Sequence, residues 1–147
     1  MLRRLSLFVF LVVGVVIGLG AFGHGHAAQR VHAAIDQFPI DPVIAATLYI
    51  VWYFVSGCMI LFGATIIWMW FRLRAGDASS LFVAYLIGAF YVVTGVGGMI
   101  YRHGDLFWAF FIVLGGLLLV SSFALRSGNV PVTLAERGAR ATDTSVS

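Results

Sequence analysis

The chain contains no lysine and a single cysteine, and only 10% of its 147 residues carry a charge. So little charge cannot clothe a water-soluble domain, whose surface is ordinarily about a quarter or more Asp, Glu, Lys and Arg. The lone thiol, Cys58, excludes an internal disulfide and chemistry by paired thiols, and its place in an apolar run marks it as a small packing residue. Proline occurs only as Pro39, Pro42 and Pro131, outside every long apolar run, so no kink is demanded. The nine arginines sit near the ends of apolar runs and form no patch, a pattern that anchors helices in a bilayer and excludes nucleic acid as a partner. No ionisable Asp, Glu, Lys, Arg or His lies within those runs, where a pump or proton-coupled carrier keeps one. No nucleophile with a base and no phosphate loop is found either, so the chain reads as a non-enzyme with no cofactor.

What is present is hydrocarbon: 61% of the residues are hydrophobic. Four uncharged segments, 5–22, 43–71, 81–101 and 106–125, are long enough to span a hydrocarbon core of about 30 Å. The expected fold is an all-α membrane protein, four transmembrane helices in an up-down bundle making one domain over residues 1–126. Asp41 and Pro42 suit the N-cap and first turn of helix two, Ser79 or Ser80 can cap helix three, and Asp105 can cap helix four. Gly104 supplies the tight turn that makes helices three and four antiparallel neighbours. Helix two, uncharged from 43 to 71, would be about 43 Å long, so it is expected to be the longest and to protrude. Trp68 and Trp70 beside Arg72 fit one interfacial belt, and Tyr49, Trp52 and Tyr53 the other.

Arg3, Arg4, Arg72, Arg74, Arg126, Arg137 and Arg140 fall on one side of this topology, and only Arg30 and Arg102 on the other. The bias predicts both termini in the cytoplasm of a bacterial inner membrane. A signal-peptide reading of the first 27 residues is opposed by an apolar core longer than the usual 7–15 residues. Residues 127–147 lose apolar periodicity and are expected to form a mobile cytoplasmic tail.

The stretch AFGHGHAAQRVHAAIDQFPIDP, residues 21–42, holds three of the four histidines. With His24, His26, His32, His103 and Asp36 on one side, it offers enough imidazole and carboxylate for zinc or copper, and His32 and Asp36 would share a helical face. The spacing matches no ligand motif, and Gly23 and Gly25 leave His24 free to move, so a solvated loop is the simpler reading. Val31, Ile35 and Phe38 recur at helical spacing, which predicts a short periplasmic amphipathic helix over 27–38, between helices one and two.

Small residues recur within the spans. Gly14 and Gly18 in helix one, Gly57 and Ala64 in helix two, Ala84, Gly88 and Gly95 in helix three, and Gly115 with Gly116 in helix four form faces through which backbones can approach. The stretches VWYFVSGCMILFGATIIWMWFRLR and YLIGAFYVVTGVGGMIYRHGDLFWAFFIVLGGLLL resemble the small four-span inner-membrane proteins of uncharacterised activity found in many bacteria. The resemblance implies location and helix count, and no catalytic residue. The leading expectation is therefore a packing or accessory subunit of a larger membrane assembly, or a homo-oligomer, with lipid and other membrane subunits as partners. The alternatives are a periplasm-facing metal or small-ligand binder and a channel or carrier for a neutral apolar molecule.

Overall fold

The structure, a computed structural model, describes residues 1–127 and contains four helices: α1 (Leu2–Ile35), α2 (Pro42–Arg74), α3 (Leu81–Tyr101) and α4 (Phe107–Ser127). Each is long and apolar enough to cross a membrane, and the chain is an all-α, multi-pass membrane protein. The expected tail starts inside α4 at Ser127, and residues 128–147 lie outside the described residues.

Helix ends follow local chemistry. Asp41 Oδ1 accepts from the backbone N–H groups of Val43 (2.8 Å) and Ile44 (3.4 Å), satisfying two donors that the first turn of α2 leaves open, with Pro42 just inside. Asp105 does the same for Phe107 at the start of α4 (3.0 Å). The serine expected to cap α3 does not: Ser80 holds the N-cap position, but its hydroxyl makes no cap bond and is buried with no hydrogen-bond partner among the described residues. The Ser79 N–H donates to Asp77 instead. Both short turns carry a left-handed glycine, Gly76 at φ +91° and Gly104 at φ +92°, a conformation in which a Cβ would be strained.

The largest departure from the sequence reading is α1. Apolar character ends at Phe22, but the helix continues to Ile35, so residues 27–35 are its last turns and not a separate amphipathic helix. Ala, Gln and Arg after His26 are good helix formers, and Ala28 is buried against the neighbouring helix, which offsets the cost of Gly23 and Gly25. At 34 residues α1 is one longer than α2, so helix two is not the longest, contrary to expectation. It is unbroken from Pro42 onward, as expected.

The helices pair as two hairpins. The α1–α2 and α3–α4 contacts are extensive, α1 joins the hairpins by lying against α4, and α2 and α3 scarcely meet although they are consecutive. Phe10, Val13 and Ile17 of α1 share a core with Ile66 and Met69 of α2, Ala84 and Ile87 of α3, and Leu114 and Leu118 of α4. Lipid tails are as apolar as these side chains, so close backbone packing must hold the hairpins. A Cβ placed on Gly63 would lie 2.6 Å from the Gly18 Cα and 2.8 Å from the Gly14 carbonyl oxygen, and one on Gly115 2.5 Å from the Gly88 carbonyl oxygen. Gly95 meets Ile112 and the Trp108 carbonyl in the same way, and Ala84 is fully buried. Gly57 behaves differently: among the described residues nothing outside its own stretch of helix lies within 4 Å of where its Cβ would stand.

Both hairpins share one end, where the Arg3 guanidinium donates to the Leu73 carbonyl (3.0 Å) and Leu73, Leu81 and Leu125 are all buried. There Arg72 lies over the Trp68 ring and Arg74 over the Trp70 ring, 5.3 and 4.9 Å from the centroids, and Arg72 is paired with Asp77. Hydrogen bonds from Ser79, then the Arg72 pair, hold the Asp77 carboxyl well below the usual carboxylate range. With α3 and α4 only 21 residues each, the α1–α2 hairpin extends about 18 Å past them at the other end.

Candidate functional site

The projecting end of the α1–α2 hairpin gathers most of the polar and aromatic side chains that sequence reasoning singled out. Its lowest contact joins His24 of α1 to Trp52 and Ser56 of α2. Those two residues are one turn apart, so both face α1. The Trp52 indole N–H donates to the His24 carbonyl (2.7 Å), and its ring stacks on the imidazole with centroids 4.3 Å apart and planes inclined by 14°. The Ser56 hydroxyl donates to the Trp52 carbonyl (3.3 Å) and lies 2.9 Å from His24 Nδ1. The direction of that contact follows the imidazole tautomer: Nδ1–H donates to the hydroxyl oxygen, or the hydroxyl donates to a bare Nδ1. Two turns further out His32 stacks on Tyr49, centroids 3.8 Å apart and planes 18° from parallel, with its Nε2 buried and without a hydrogen-bond partner among the described residues.

The remaining candidates stand elsewhere. His26 is exposed, Asp36 caps the C-terminal end of α1, and His103 occupies the α3–α4 turn with a positive φ of 52°. Among the described residues no group of three or more His, Cys, Asp or Glu side chains is placed to hold a metal ion. His24 and His32 each lie flat on a different aromatic of α2, and of the other candidates Asp36 lines the same groove as His32. The eight-residue separation of His24 and His32 corresponds to about 12 Å along the helix.

A groove runs along each side of the α1–α2 contact. One, of about 400 Å³, is lined by Ala27, Val31, Ala34 and Ile35 of α1, Phe38 and Ile40 of the connecting turn, and Leu48 and Trp52 of α2, with Arg30 as its one charged residue. The other, of about 350 Å³, is lined by Gln29, His32, Ala33, Asp36 and Tyr53. Residues 27, 30, 31 and 34 fall on one face of α1 and 29, 33 and 36 on the opposite face, so the hairpin presents an apolar side and a polar side. Sequence reasoning missed Ser56, Gly63 and the apolar groove. Only Gly63 carried a visible signal, a further small residue among those of helix two.

No family model, curated protein or solved structure matches the chain.

Proposed function

We propose that the protein is a non-enzymatic accessory subunit that docks on other membrane-spanning helices through the outward face of α2, in a bacterial inner membrane with both termini cytoplasmic. One observation carries this reading. Ile50, Phe54, Gly57, Leu61, Ala64 and Trp68 are all exposed, and their spacing alternates between four and three residues. That is the heptad rhythm of a left-handed helix pair, in which a straight stripe stays in register with a partner. The opposite face of α2, with Ser56, Gly63, Ile66 and Met69, is buried within the chain. Gly57 and Ala64 lie seven residues apart on the free stripe, and the open space over Gly57 lets another backbone come close. The arginine bias toward the shared end of the hairpins supports the orientation.

The test is purification of the full chain from native membranes in mild detergent, beside the variants Gly57→Phe and Ala64→Phe. Wild type should emerge with stoichiometric companion subunits, and the variants, folded but without them, as single chains. A wild-type protein that is monomeric and alone under these conditions overturns the reading.

A further inference from the structure

We propose that the apolar groove beside Arg30 binds a single-chain anionic lipid, its hydrocarbon tail along Val31, Ala34 and Leu48 and its acidic head on the guanidinium. The site is independent of the α2 stripe, since its α2 residues, Leu48 and Trp52, lie off that face.

Three features select this ligand. First, the groove is an open trough of about 400 Å³, and its lining is hydrocarbon except at one point. A ligand that fills it must be an apolar tail with a single polar end. Second, that one point is a cation. Arg30 is exposed and has no ion-pair partner among the described residues, whereas Arg72 and Arg102 are paired with Asp77 and Asp105. The nearby acids are engaged or turned away: Asp41 caps α2, and Asp36 lines the groove on the other side of the hairpin. A guanidinium fork is matched by a carboxylate or phosphate, and its aliphatic stem continues the apolar wall. Third, the groove lies on the length of hairpin that outreaches α3 and α4, with Trp52 at its base and Phe38 at its tip. A hydrocarbon core of about 30 Å is shorter than either helix of the hairpin, so with the core level with α3 and α4 a lipid drawn partly out of the membrane gains burial here that it does not gain beside the lower spans.

The experiment places the full chain in phosphatidylcholine nanodiscs and follows stearate carrying a nitroxide, by the motionally restricted fraction of its spectrum. Spin-labelled phosphatidylcholine defines the restriction due to the ordinary lipid shell. Stearate should show an additional restricted component that saturates at one per chain, while acetate should not compete for it and oleate should. Arg30→Gln should weaken it about tenfold, as expected for one charge-assisted contact. Ala34→Trp, at an exposed position that lines the groove, should remove it, and Val93→Trp, exposed on α3, should leave it unchanged. The proposal is overturned if stearate is restricted no more than phosphatidylcholine. It is also overturned if Arg30→Gln weakens binding but Ala34→Trp does not, which leaves surface charge alone. A dimer that Ala34→Trp separates, with no stearate held by wild type, would assign the groove to a second copy of the chain.

Discussion

Trp52 holds His24 twice, by stacking on its imidazole at 4.3 Å and by donating its indole N–H to the same residue's carbonyl at 2.7 Å. The two contacts act on side chain and backbone together, so they fix both the rotation of α1 and its height against α2. They stand where apolar packing gives way to the projecting part of the hairpin.

Trp52→Phe should therefore loosen the far end while leaving the spans intact. The lost hydrogen bond contributes about 1 kcal/mol. Amide hydrogen exchange over residues 25–35 should speed up by about fivefold, with no change in α3 or α4. Uniform acceleration across all four helices would show that Trp52 supports the whole bundle and not its tip.

The glycines of α2 should separate by face. Gly63→Ala puts a methyl against the Gly18 backbone and should cost about 1–3 kcal/mol as the helices are forced apart. Gly57→Ala meets open space and should be neutral or slightly stabilising through better helix propensity. Thermal unfolding of both variants in one detergent decides the order. Equal destabilisation would contradict the packing of α1 on α2 through Gly18 and Gly63.

Asp77 sets a pH dependence at the shared end. Its folded carboxyl is held below the ordinary value, so its contribution is present above the unfolded pKa of about 3.9 and is lost as pH falls through the lower folded value. Wild type and Asp77→Asn should differ modestly in melting temperature from pH 7 down to about 4 and converge only in stronger acid, the exposed position keeping the difference small. A difference that vanishes already between pH 7 and 5 would contradict this assignment.

The arginine bias predicts that a reporter fused after Ser147 is active if it requires the cytoplasm and silent if it requires the periplasm. The opposite pattern would reverse the orientation without altering the fold.

Hydropathy made the four spans legible, and capping chemistry located Asp41 and Asp105. It failed on α1 because apolarity reports the surroundings of a segment and not the hydrogen bonding of its backbone. A helix that leaves the hydrocarbon but stays packed on a neighbour gives no apolar signal. The site was hidden for a related reason. Gly14 with Ile66, Gly18 with Gly63, His24 with Ser56, and His32 with Tyr49 advance in opposite directions along α1 and α2, each step on one helix matched within a residue on the other. Only the inter-helix register makes these pairs, and no single helix carries that register. The stacking that turns His24 and His32 toward α2 depends on the same register, which composition does not carry.

The unequal hairpins constrain the stature of any companion. The free stripe of α2 extends from Val43 to Phe71, about 42 Å of helix, whereas a span of about 20 residues covers only about 30 Å. A neighbour of ordinary length, level with α3 and α4, would leave the Val43–Ile50 end of the stripe bare. Complete cover requires a second over-long helix, so the companion should itself rise above the membrane on the same side.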